Sequence, residues 1–238
     1  MNVPPLLKTH CDVIGGKGDG ATTALCRLVA DHPDRAGAQV MVREQGSAIS
    51  HMSVGICLGL GATVRPVQRI AGFLVLKTAV AQTVTVAGQP VAFSAPVDAK
   101  DAGHDAATPA FPALPEDTIA DVTVPLIRLA WARSGDKGNM FNVAVIARAP
   151  EYLPSIAAAL TPERVGTHYG AVLGRDQPFV VDAFCVPGLS ALNFVVRDSM
   201  DGGVLANVSL DPVAKGMAQL LLDVPIAISA ELAAMLGA

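Results

Sequence analysis

The chain has 238 residues, 51% of them hydrophobic and only 16% charged, with a net charge of −4 and a mean hydropathy of +0.45. No basic stripe marks a nucleic-acid surface, and the most apolar stretches, near Ile70 to Val80 and Phe179 to Val186, are cut by Lys77, Asp182 and Pro187 short of the about 20 apolar residues a membrane-spanning helix needs. The surplus of apolar residues over what one core absorbs predicts a homo- or hetero-oligomer.

From the start, His10 to Ile14 has the composition of a short strand. A glycine-rich loop, Gly15 to Gly20, follows, then Ala21 to Asp31 with Leu25, Leu28 and Val29 at helical spacing. This strand, loop and helix are not a nucleotide site, because the glycines fit neither Gly-x-Gly-x-x-Gly nor the P-loop spacing. Gln39 to Arg43 reads as a strand, Glu44 to His51 as a loop, and Val67 to Val80 as an apolar strand after the glycine-rich Gly59 to Pro66. Thr83 to Val86 and Pro90 to Phe93 flank Gly88 as a hairpin. Residues 1–93 are therefore expected to form a small N-terminal α/β domain. Residues 94–123, rich in Ala, Pro, Asp and Gly, have linker composition.

The second half starts near Val124 and is α+β, with strands and helices alternating as in a split βαβ sandwich. Val124 to Trp131 and Val143 to Ala147 read as strands. Pro150 to Leu160 reads as a helix, and Thr161 and Pro162 supply the cap and first turn of another. Phe179 to Val186 and Ala191 to Val196 are strands joined by Pro187 to Ser190. Asp198 to Gly203 is a turn, Val204 to Leu210 is extended, Asp211 caps a helix through Leu222, and a short strand, Val224 to Ile228, precedes a helical tail.

Between the first two of these strands lies Arg133-Ser134-Gly135-Asp136-Lys137-Gly138-Asn139, with Asn142 just beyond. Read as a loop, this run can aim backbone N–H groups at one point, with Arg133 and Lys137 adding charge-assisted donors, and so hold a carboxylate or phosphate. It can equally be a polar hairpin loop whose Asp136 caps its own turn. Asn193, an amide within an apolar strand, either reaches this loop or a ligand, or faces water from an edge. Asp136 with Lys137 is the candidate proton-transfer pair. His168 and Tyr169 are the acid/base candidates of this half and His51 that of the other, each balanced against a packing or surface role. Asp201-Gly202-Gly203 is a turn or a glycine platform facing the ligand. The cysteines Cys11, Cys26, Cys57 and Cys185 have no metal-ligand spacing and read as small buried apolar residues, so neither a metal nor another cofactor is expected. There is no secretory leader pattern, and a cytoplasmic setting without disulfides is expected. No serine-hydrolase or zinc-enzyme motif occurs.

The run Ala132 to Asn139 followed by Asn142 to Arg148, together with Leu189 to Phe194, Asp201 to Gly203 and Leu210 to Gly216, resembles the small C-terminal domain of the acyclic terpene utilisation A (AtuA) family. More weakly, Gly59 to Val80 resembles the last segment of that family's large domain. The resemblance implies a ferredoxin-like α+β domain over residues 124–238, preceded by only the tail of the large domain, the rest of which a separate chain would supply. It implies a catabolic role on a branched carboxylic acid or its acyl-CoA. The residues expected to bind it are Arg133, Ser134, Gly135, Gly138, Asn139, Asn142 and Asn193, with Asp136, Lys137 and His168 as catalytic groups. The alternative is a non-catalytic ferredoxin-like subunit assembling with a partner.

Overall fold

In the computed structural model, residues 4–16, 22–52, 55–57, 61–93 and 109–237 are described. The centre of the C-terminal half is a four-stranded antiparallel sheet. Its strands β6 (Ala130–Lys137), β7 (Met140–Ala147), β8 (Val181–Val186) and β9 (Ala191–Val196) lie in the order β6-β7-β9-β8. In β7 and β9 every second residue is apolar and buried: Phe141, Val143, Val145, Leu192, Phe194 and Val196 are all wholly inaccessible. The register sets Val143 opposite Phe194 and Val145 opposite Leu192, so these six side chains form one row-by-row face.

Helices cover that face. After β7 the chain makes a 3₁₀ turn at Pro150–Tyr152 and enters α2 (Leu153–Ala159) and α3 (Pro162–Val172), which bury Ile156, Leu160, Val165 and Tyr169. As expected, Thr161 caps α3: its hydroxyl accepts from Arg164 N at 3.2 Å, and Pro162 occupies the first turn. The tyrosine ring stands edge-on to Phe141, centroids 5.0 Å apart. From α3 the chain enters β8, which is parallel to β7 with β9 between them. This is a split βαβ unit. The layout ββαββα is βαββαβ entered one strand later, so the expected ferredoxin-like sandwich is the fold found. The helix α4 (Met217–Leu222) follows and packs on β6. A two-stranded ribbon of β5 (Val122–Pro125) and β10 (Pro225–Ile228), then α5 (Ala230–Met235), complete the core.

The N-terminal half is built differently from the expectation. The strand β1 (Lys8–Gly15) pairs with β2 (Ala24–Asp31) in a hairpin, so Ala21 to Asp31 is no helix. Gly15 and Gly16, at φ 81° and 69°, begin the reversal of the chain. Residues 17–21 of the glycine loop lie outside the described residues. The helix α1 (Arg35–Met52) replaces both the expected strand and the expected loop. Its Ala, Gln, Met, Arg and Glu residues are good helix formers that outweigh Gly37 and Gly46. Residues 67–76 form no strand; Phe73 is 84% and Leu74 fully exposed. The hairpin β3 (Val84–Val86) and β4 (Gln89–Val91) turns at Ala87 and Gly88 as expected. The first half of the linker, residues 94–108, lies outside the described residues.

No described residue before Val124 is buried. Contacts join the first hairpin to the second half: Lys8 Nζ lies 2.6 Å from an Asp201 carboxylate oxygen, and Arg27 donates to the Val208 carbonyl at 2.9 Å. In that second half two expected elements shorten. Residues 204–210 are turns and bends rather than extended. The helix expected from Asp211 begins only at Met217, because Asp211 spends its carboxylate on a turn, accepting from Lys215 N at 3.0 Å and Gly216 N at 2.6 Å. No helix among the described residues is long and apolar enough to cross a membrane.

Candidate functional site

Arg133 to Lys137 is the second half of β6 and not a loop; the hairpin turn is Gly138 and Asn139 alone, between the paired Lys137 and Met140. Gly138 takes φ 67° at the first turn position, which a type II′ turn requires. A strand sends successive side chains to opposite faces, and this divides the polar run in two.

Ser134 and Asp136 share the helix-side face with Val143 and Phe141. Ser134 is buried. Its hydroxyl accepts from Ala218 N at 2.9 Å and donates to the Lys215 carbonyl at 3.3 Å, so it clips the 211–218 segment to the edge of β6. Asp136 N adds a bond to the Val213 carbonyl at 3.2 Å. Asn139 is also fully used by the fold: its Nδ2 donates to Asp198 Oδ1 at 2.9 Å and its Oδ1 accepts from Gly202 N at 2.7 Å. Asp201-Gly202-Gly203 is therefore a turn stapled to the β6–β7 turn. The Ser134 hydroxyl and the Asn139 side chain thus make their hydrogen bonds within the fold.

Arg133, Gly135 and Lys137 point to the opposite face, beside Ala144, Asn142 and Met140 respectively. Among the described residues no helix packs there. Next to them on β9 stands Asn193, opposite Ala144, and Asn142 Nδ2 donates to Asn193 Oδ1 at 2.9 Å. The amide in the apolar strand is thus satisfied by its neighbour on an open face. Around this pair lie Trp131, 53% exposed with the Arg148 guanidinium 4.7 Å above its ring, and Phe184, 46% exposed. Ile146 and Val195 are half-buried between them.

Gly135 supplies the space that makes a site of these residues. A Cβ at this position would lie 2.6 Å from Lys215 Nζ and 4.0 Å from Lys137 Nζ. Two ammonium groups therefore stand over one glycine, with Arg133 two residues along the same face. Among the described residues none of the three has a carboxylate within salt-bridge distance. The Lys137 ammonium donates to its neighbour's main-chain carbonyl, Asp136 O, at 3.0 Å. Like charges this close repel, and an anion between them relieves the repulsion. Lys215 was not among the expected residues. Its signal was the Asp211–Gly216 run, whose aspartate folds the turn that delivers the lysine around the sheet edge.

The expected catalytic set is not brought together. Lys137 and Asp136 are consecutive strand residues on opposite faces. His168 is on α3, across the sheet from Lys137; its Nε2 bonds the Leu220 carbonyl at 2.9 Å, so that nitrogen carries the proton. It borders a cleft of about 230 Å³ with Leu160, Arg164 and Leu221. Tyr169 donates to the Met217 carbonyl at 2.9 Å, and burial pushes its phenol far above its ordinary range, which removes it from proton transfer near neutrality. His51 bonds the Ser47 carbonyl of its own helix at 2.8 Å. Of the cysteines only Cys185 is buried, so the reading of all four as core residues is corrected for Cys11, Cys26 and Cys57. No cluster of metal-ligating side chains occurs among the described residues.

Comparison with known proteins agrees with the ferredoxin-like fold of the C-terminal half. The family model described as the AtuA ferredoxin-like domain matches residues 124–227, which hold the four-stranded sheet, its helices and the cation face. No curated protein and no solved structure matches the chain.

Proposed function

We propose that the AtuA ferredoxin-like domain of this chain binds an anion with an apolar tail, a branched carboxylic acid or its acyl-CoA, on the open face of its sheet. The observation that carries the reading is the convergence of Lys137 and Lys215 over Gly135, with Arg133 on the same face and, among the described residues, no acidic partner for any of them. The charged end of the ligand would sit on these donors, the Asn142–Asn193 pair would orient it, and Trp131, Ile146, Val195 and Phe184 would meet the tail. The AtuA resemblance supports the substrate class and the residues support the charge. Among the described residues no nucleophile with an adjacent base accompanies the cations, so the role argued is binding.

Thermal-shift titration with branched acids and acyl-CoAs tests it. The wild type should be stabilised, and Lys137→Ala and Lys215→Ala should lose most of that response while keeping the ligand-free Tm. Equal responses from wild type and both variants would remove the assignment.

A second reading, a non-catalytic subunit that assembles with a partner carrying the large domain, has its own support. No described residue before Val124 is buried, and Ile70, Phe73, Leu74 and Leu76 are each at least 73% exposed. Co-purification from the native source separates the readings. A lone homo-oligomer that binds acyl-CoA would eliminate the second.

A further inference from the structure

The first hairpin carries a feature independent of the anion face. In the β1–β2 register Cys11 lies opposite Leu28 and Cys26 opposite Val13, so the cysteines are diagonal neighbours on one face of the ribbon. Their sulfurs are 3.7 Å apart, and both residues are exposed. Among the described cysteines no other pair is in contact. A disulfide needs an S–S separation of about 2.05 Å, so the two sulfurs, 3.7 Å apart, have a short approach to make. No described residue of this hairpin belongs to the buried core, so the adjustment disturbs no packed core.

We propose that Cys11 and Cys26 form a dithiol–disulfide switch that closes the first hairpin. With glutathione disulfide as oxidant, one cysteine thiolate attacks a glutathione sulfur, breaks its S–S bond and expels a glutathione thiolate. The second cysteine thiolate then attacks the protein-bound sulfur, forms the Cys11–Cys26 bond and expels the second glutathione. The two cysteines lose two electrons and two protons, and one glutathione disulfide becomes two glutathione thiols. The contact with Cys26 pushes the Cys11 thiol up, which lowers its thiolate fraction and slows its attack on glutathione disulfide.

The position of the bond gives it a consequence. The ribbon's other face carries Asp12 and Arg27, which are paired at 2.6 Å, and Arg27 reaches the Val208 carbonyl. Lys8 reaches Asp201, beside Gly202, whose N–H holds Asn139 at the β6–β7 turn. Stapling the hairpin therefore limits the motion of the residues that anchor it to the second domain.

The test uses the full chain, equilibrated with glutathione disulfide and then assayed for free thiols and mapped by non-reducing peptide mass analysis. One peptide pair should join Cys11 to Cys26, with neither of these two thiols left free or bound to glutathione. Cys11→Ser should instead leave Cys26 as a glutathione adduct. Trypsin should cut at Lys8 and Arg27 at least several-fold more slowly in the oxidised chain. Stable glutathione adducts on both cysteines, disulfide-linked dimers, or a cross-link that leaves cleavage unchanged would each overturn the proposal.

Discussion

Two buried serines in the same domain should respond oppositely to one substitution. Ser134 accepts from Ala218 N at 2.9 Å, whereas the Ser155 hydroxyl, in α2, has no hydrogen-bond partner. Ser134→Ala leaves the buried Ala218 N–H without an acceptor, which costs about 1–3 kcal/mol. With a urea m value of about 1–3 kcal/mol/M, the unfolding midpoint should fall by roughly 1 M. Ser155→Ala removes a hydroxyl that was desolvated for no bond, and should be neutral or raise stability by up to about 2 kcal/mol. Urea unfolding followed by far-UV circular dichroism measures both. The pair also separates fold from site. Ser134→Ala frees the segment that carries Lys215, so anion affinity should fall even where the domain is fully folded, and Ser155→Ala should leave it unchanged. Equal destabilisation by both variants would refute the hydrogen-bond reasoning, and unaltered affinity in Ser134→Ala would refute the role of the clip.

A Cβ at Gly166 would come 2.2 Å from the Phe179 carbonyl oxygen, a backbone atom that cannot swing away. Gly166→Ala should cost about 1–3 kcal/mol and lower Tm by roughly 4–8 °C per kcal/mol, and calorimetry showing no change would contradict the packing of α3 on β8. Burial alone would raise the Asp12 carboxyl, but bonds from Arg27 and His10 outweigh it and hold it below the ordinary value. That contribution is present above the unfolded pKa and is lost as pH falls through the lowered folded one, so the hydrogen-exchange protection of the first hairpin, relative to the intrinsic rate at each pH, should fall in acid. Asp12→Asn should abolish the acid dependence, and its persistence would exclude the pair as the cause. Burial raises the Tyr169 phenol, so its contribution is full below the unfolded value and is lost as the pH climbs past about 10. Tyr169→Phe should flatten the alkaline fall in Tm, and an identical fall in both would show another group responsible.

The core strands were legible because burial on one face writes itself into the sequence with period two. Phe141, Val143 and Val145 alternate with Asn142, Ala144 and Ile146, and the register pairs them with Leu192, Phe194 and Val196. The same rule explains the misread run. Arg133 to Lys137 has too few apolar residues to resemble a strand, because its inward positions are Ser134, which carries a hydrogen-bond clip, and Asp136 at the sheet edge. Composition says polar, while pairing with β7 along its whole length makes it extended. Lys215 could not be placed from local pattern, since it meets Gly135 only through a long-range contact. Neither could the N-terminal helix and hairpin: with no core of their own, their residues carry little periodicity to read.

The two functional readings are linked by electrostatics. On an uncovered sheet face an exposed ion pair is worth about 0–1 kcal/mol, because water screens it. The same lysines beneath another surface act in a lower dielectric and hold an anion more tightly. The chain carries apolar surface in search of such cover, both on the face beside Trp131 and Phe184 and on Ile70, Phe73, Leu74 and Leu76. Burying a side chain of that size contributes about 1.5–3 kcal/mol, so four of them supply a sum on the order of the whole stability of a domain. On the proposed reading, a surface that covered the face would raise the affinity of Lys137 and Lys215 for an anion. By reciprocity the anion, which cancels the repulsion between those lysines, strengthens the covering contact by the same factor.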